Sequence, residues 1–144
     1  ERRGADGGSQ DAGCDVSDNT RARIFAAIQA ERERQDARWG EQNHPDVWPR
    51  TQWHETVTTD VMAKHYGVPE AAEAKARCDR SAWCGTCTWA HILVEEVAEV
   101  IEAATIAEGQ DGPEEDVDRE LVRLAAVCVS WLEARARRRA GGAT

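Results

Sequence analysis

Apolar residues recur along this chain with the period of helices, and no stretch alternates apolar and polar positions as a strand would. The clearest run covers residues 89–105, WAHILVEEVAEVIEAAT. At roughly 100° per residue on a helix, Leu93, Val97, Val100, Ile101 and Ala104 share one face. Glu95 and Glu102 fall on the far side. Glu96 and Glu99 fall among Ile92, Val100, Ala103 and Ile106, an apolar flank. A second run is opened by Gly112-Pro113 and closed by Gly141-Gly142. Leu121, Leu124, Ala125, Cys128 and Leu132 form its predicted core face, and Glu120 projects beside Leu124, Val127 and Trp131. The polar connection over residues 108–112 is short, which favours antiparallel neighbours. Glu96, Glu99 and Glu120 are therefore predicted to meet across one helix–helix seam.

The remaining pattern predicts further helices. Residues 1–17 are rich in Gly, Asp and Ser, and read as a disordered tail. Ser17-Asp18 offers an N-cap for a helix from about Thr20 to Trp39, with Ile24, Phe25, Ile28, Gln35 and Trp39 towards one side and Gly40 ending it. Pro45 and Pro49 mark a loop over residues 41–51. Residues 52–66 look helical through Trp53, Val57, Val61 and His65, and stop at Gly67. Residues 69–83 form an Ala-rich helical stretch, and Thr88 is the predicted N-cap of the helix that follows. Together these elements predict an all-α helical bundle of about four to five helices over residues 18–140, with an antiparallel acid-bearing pair.

Charge sharpens this picture. The formal net charge is −9, which argues against a nucleic-acid backbone or an anionic membrane as partner. No apolar run has the length of a membrane span. No Lys or Arg lies between Arg80 and Arg119, a window that holds ten acids. Buried carboxylates need a cation partner or water. Oxygen-only donors without an internal cation point to a hard divalent metal such as Mg²⁺, with Mn²⁺ as the alternative. The competing reading is that these acids rim a solvated face.

The motif Glu95-Glu96-Val97-Ala98-Glu99, followed by Glu120-Leu121-Val122-Arg123, resembles the E-E-x-x-E … E-x-x-D pattern of the MazG-like nucleotide pyrophosphohydrolases. Residues 30–46, AERERQDARWGEQNHPD, are similar to the first helix and loop of actinobacterial and phage members of that group. So is TWAHILVEEVAE at residues 88–99. The resemblance covers roughly residues 24–134. It implies an all-α fold, a homo-oligomer, and Mg²⁺-dependent hydrolysis of a nucleoside triphosphate to monophosphate and pyrophosphate. It implies Glu96, Glu99 and Glu120 as metal ligands and Glu95 as a water-orienting base or a ligand to a second metal. For the base pocket, Trp39, Gln42, Asn43 and His44 are the candidates, with Trp53 behind them. The chain departs from the pattern at Arg123, where the family has Asp. Arginine cannot ligate Mg²⁺. It can contact a substrate phosphate or pair with Asp116 or Glu120. A non-catalytic nucleotide-binding or protein-interaction module of the same fold is thus the alternative.

Other chemistry is weaker. Cys78, Cys84, Cys87 and His91 offer donors for a zinc site, but a single C-x-x-C is little support. Cys128 reads as core. The five cysteines are an odd number and ERRGADGGSQ at the start has no apolar core of the signal-peptide kind, so a reducing cytoplasm is the expected setting.

Overall fold

Helices of this chain end at glycines in the left-handed region, among them Gly67 at φ 70° and Gly85 at φ 68°. The computed structural model describes residues 12–110 and 112–142, with side chains over residues 18–109 and 112–142. Among them lie five α-helices: α1 (Ala12–Trp39), α2 (Thr59–Tyr66), α3 (Ala71–Trp83), α4 (Trp89–Gln110) and α5 (Glu114–Gly141). A 3-10 turn spans Arg50–Gln52, and there is no strand among the described residues. The fold is all-α, as the patterning predicts.

The boundaries differ from expectation in two places. Helix α1 reaches back to Ala12, so Ser17-Asp18 lies inside it rather than capping it. Of the predicted tail, residues 1–11 lie outside the described residues. Helix α2 begins at Thr59, not at residue 52. The intervening residues find partners outside any helix. The Trp53 indole N–H donates to the Trp48 carbonyl at 3.0 Å, and the Arg50 backbone N–H donates to the Glu108 carboxylate on α4.

The chain divides into two compact units. One comprises the residues up to Gln42 together with those from Leu132 on. In it the Arg21 guanidinium donates to Glu133 at 2.6 Å, and α1 carries local pairs such as Arg32–Asp36 at 2.6 Å. Such pairs contribute a few tenths of a kcal/mol each, roughly 0.2–0.5. Its apolar stripe is thin: Ile24 is half-buried, while Phe25 and Ile28 are exposed.

The other unit, Asn43–Trp131, holds α2, α3, α4 and the first part of α5. Helix α4 packs against both α2 and α3. One cluster joins Val47 and Val57 from the loop, Met62 from α2, Ala104 from α4 and Val117 from α5, with Trp48, Trp53 and Ile101 against it. A second joins Ala71 and Ala74 of α3 to Ala98 of α4. Trp89 stacks on Trp131 at 6.5 Å between ring centroids. At the other end of the same pair, Gly112 lies against Ile106 and Ala107. Helices α4 and α5 therefore run antiparallel. A Cβ at Gly112 would sit 3.0 Å from Ile106 Cγ2 and 3.3 Å from the Ala107 backbone, so this connection is closed by a residue without one.

Two predicted faces are corrected. On α2, Val61 and His65 point outward, while Met62 and Ala63 are buried. On α5, Leu121, Ala125, Cys128 and Leu132 are exposed, and Leu124 is only half-buried. The inward residues of this unit are instead Val117, Glu120, Leu124, Val127 and Trp131, the acid-bearing flank. Each helix carries two adjacent apolar stripes, and α5 turns the one holding Val117 towards Met62 and Ala104. Cys128 is accordingly not core.

Met62 is fully buried, at 0% exposure, whereas Val61 is 44% exposed. Met62→Ala is expected to cost about 2–5 kcal/mol in urea unfolding, and Val61→Ala less than about 0.5 kcal/mol. A larger loss for Val61→Ala than for Met62→Ala would place the α2 core face on the stripe of Val57, Val61 and His65.

Candidate metal centre

Helix α4 is positioned at its start by a reciprocal cap. The Thr88 carbonyl accepts the backbone N–H groups of His91 and Ile92. The Thr88 backbone N–H in turn donates to His91 Nδ1 at 3.1 Å, and the Thr88 hydroxyl lies 2.8 Å from the same nitrogen. This is the logic of a capping box with His in place of the usual Glu. It occupies the one His that could have joined a zinc site. Among the described residues, Cys78, Cys84, Cys87 and His91 do not form a group with converging ligand atoms, so the zinc alternative gains no support.

One such group exists among the described residues: Glu96, Glu99 and Glu120, with one ligand atom from each lying within 4.8 Å of the others. Two come from adjacent positions on α4, where a spacing of three residues puts side chains side by side. The third arrives from α5. Val117 lies one turn before Glu120 and is buried in the core, so the same helix face carries Glu120 inward to 8% exposure. Burying a valine contributes about 1.5–3 kcal/mol, while an unpaired buried carboxylate costs more than that. Glu120 is paired. Arg123 Nη1 donates to both of its oxygens at 3.1 Å, and Arg119 Nε lies 3.6 Å from Oε1. Arg119 also pairs with Asp116 at 2.7 Å.

The two acids of α4 have no such partner. Glu96 Oε2 is buried without a hydrogen bond. Its pKa is raised by burial first, then by the charges of Glu120 and Glu95, with Arg123 opposing. Glu99 is raised for the same reasons: burial, then Glu96, Glu120 and Glu95, against Arg123. An orphaned carboxylate oxygen facing two further carboxylates suits a hard cation, which takes oxygen donors and offsets their repulsion. The donor set therefore fits Mg²⁺.

A cavity of about 240 Å³ opens beside the group, lined among others by Glu99, Glu102, Asp116, Arg119, Glu120 and Arg123. Glu102 was expected on the far side of α4. It lies one turn beyond Glu99, and that spacing was the available signal. Glu95 stands elsewhere: its carboxylate acts on the Cys78 thiol and on Lys75 of α3. It is not among the three converging acids.

The base-pocket candidates divide between the units. Trp39 ends α1, is 54% exposed, and carries the Arg38 guanidinium 5.1 Å from its ring centroid. Gln42 lines a cleft with Arg32, Gln35, Asp36, Gly40 and Glu41. Asn43 and His44 are exposed and do not line the cavity at the acids. Trp53 is half-buried and packs against the core cluster, its ring lying against Gly109. Comparison with protein-family models, with curated proteins and with solved structures finds no match. Among the described residues, no helix is long and apolar enough to cross a membrane.

The raised values predict a pH effect of definite sign. Between the ordinary glutamate value and the raised folded value, the folded protein holds more protons than the unfolded chain, so stability falls as pH rises. Metal-free protein is expected to lose this contribution on going upward from pH 4.5, the ordinary value. Glu96→Gln and Glu99→Gln should each flatten that slope. Urea melts in chelator across pH 4.5–7 make the comparison, and variants that keep the full wild-type slope would remove these carboxylates as its source.

Proposed function

We propose that this chain is a Mg²⁺-dependent nucleoside triphosphate pyrophosphohydrolase, working in the cytoplasm as a homo-oligomer and releasing pyrophosphate and a nucleoside monophosphate. One observation carries the reading: Glu96, Glu99 and Glu120 converge within 4.8 Å, with Glu96 Oε2 buried and unpartnered. In this reading Glu96, Glu99 and Glu120 hold the metal, with Mn²⁺ able to replace Mg²⁺. A bound divalent ion supplies charge neutralisation at phosphate oxygens and a lowered pKa for water.

The chain's own residues do the rest. Arg123 and Arg119 fix the Glu120 carboxylate, and both line the cavity beside it. Their remaining N–H donors are suited to phosphate oxygens, which planar guanidinium groups bind in pairs. Glu95 is the candidate for orienting water. Trp39, Gln42, Asn43 and His44 are the candidates for the base.

A second reading draws on the Arg123–Glu120 pair. A guanidinium on both oxygens of Glu120 stands in electrostatically for part of a metal's charge, yet it cannot activate water. In that reading the chain is a non-catalytic nucleotide-binding or protein-interaction module.

Pyrophosphate release from a panel of ribo- and deoxyribonucleoside triphosphates with Mg²⁺ or Mn²⁺ separates the two. The hydrolase reading expects turnover, and a loss of at least about 100-fold in Glu96→Gln and Glu99→Gln, the scale of a positioned catalytic group. Protein without turnover, whose melting temperature does not respond to either ion, rules out both the hydrolase and its metal. Arg123→Asp gives a further contrast. In a hydrolase it should raise metal affinity and lower nucleotide affinity; in a non-catalytic module it should create or increase Mg²⁺ dependence.

A further inference from the structure

Helix α3 ends in a tight reversal. Gly85 takes φ 68°, its N–H donates to the Ala82 carbonyl at 3.1 Å, and the Thr86 N–H donates to the Ser81 carbonyl at 2.8 Å. That pair of bonds is a Schellman close, which needs a residue at ease in the left-handed region. The reversal sends the chain back along α3 before Thr88 starts α4. It brings the Cys87 sulfur to 3.9 Å from that of Cys78, one turn and a half up the helix. Cys87 is exposed and Cys78 half-buried. Bond formation shortens this 3.9 Å separation to about 2.05 Å.

We propose that Cys78 and Cys87 form a reversible dithiol–disulfide pair that staples α3 to the start of α4, oxidised by a small-molecule disulfide of the glutathione class. Cys87, the exposed thiol, attacks one sulfur of that disulfide as its thiolate. The disulfide's S–S bond breaks, one thiolate leaves, and a mixed disulfide stands at Cys87. Cys78 then gives its proton to solvent and attacks Cys87 Sγ, expelling the second small thiolate. Two electrons pass from the cysteine pair to the oxidant, which leaves as two thiols. Reductant reverses each step.

Two features favour this pair over its neighbour Cys84. Cys84 caps α3, its N–H held by the Arg80 carbonyl at 3.0 Å, and no sulfur contact of the Cys78–Cys87 kind joins it to Cys87. Burial, Glu95 and Cys87 together push the Cys78 thiol up to about 12. Cys78 therefore stays protonated until the mixed disulfide presents a sulfur beside it, which assigns the first attack to Cys87.

The test uses the full chain, incubated with excess oxidised glutathione, blocked with a maleimide and mapped by mass spectrometry without reduction. The expected product is a cross-linked peptide pair joining Cys78 to Cys87, two hydrogens lighter than the dithiol. Its melting temperature should stand at least about 3 °C above that of the reduced protein, since the bond restricts the unfolded chain, and dithiothreitol should return it. Cys84→Ser should keep both results, and Cys87→Ser should lose both. A Cys84–Cys87 or Cys78–Cys84 link as main product, glutathione remaining on Cys87 without closure, or closure with no rise in melting temperature would each overturn the proposal.

Discussion

Like charges crowded into a half-buried seam repel one another, and α4 contains nothing to answer that repulsion. Its acids lie in a stretch without a single Lys or Arg from residue 81 to 118. Among the described residues, the cations that pair directly with a seam acid come from α5, and both pair with Glu120; Lys75 of α3 acts on Glu99 without forming an ion pair. This leaves Glu96 and Glu99 with raised pKa values and Glu96 with an orphaned oxygen. A protein gains nothing in stability from such an arrangement. Apolar residues at those positions would hold the two helices together better. The arrangement is explained if the missing charge comes from outside the chain, and that is the physical basis of the hydrolase reading.

What holds the seam closed is apolar and lies below it. Val117 enters the cluster with Met62 and Ala104, and Glu120 follows because it shares that helix face. The Trp89–Trp131 stack closes one end of the pair, and the tight connection at Gly112 closes the other. The loop before α2 wraps the end of α4 through Trp53 against Gly109 and Arg50 on Glu108. Hydrophobic burial thus supplies the free energy that keeps repelling carboxylates together.

Much of this was legible in the sequence where local chemistry is decisive. Gly67, Thr88 and Pro113 mark helix ends because capping depends on one or two residues. The convergence of Glu96, Glu99 and Glu120 was legible because helical spacing and a short connection fix it without knowledge of the rest. The inward faces of α2 and α5 were not. A helical wheel ranks stripes by hydrophobicity, and α5 has two of similar strength. Which one turns inward is decided by partners distant in sequence, here Met62 and Ala104. The separation of Glu95 from its neighbours was hidden for the same reason. Helix α4 is surrounded on several sides, so a position opposite the main apolar face still meets another helix, α3. The contribution of Val47, Trp48 and Val57 was hidden because a loop has no period to read.

The contact between α3 and α4 is made by alanines: Ala71 and Ala74 against Ala98. None of them carries any chemistry, yet the spacing they set is the spacing at which Cys78 meets both Cys87 and Glu95. These three methyl groups are buried, so a larger side chain at any of them would press on its neighbours. Substitution there therefore acts on reactivity at a distance. Three of the plainest residues in the chain thus hold the distance at which its sulfurs meet.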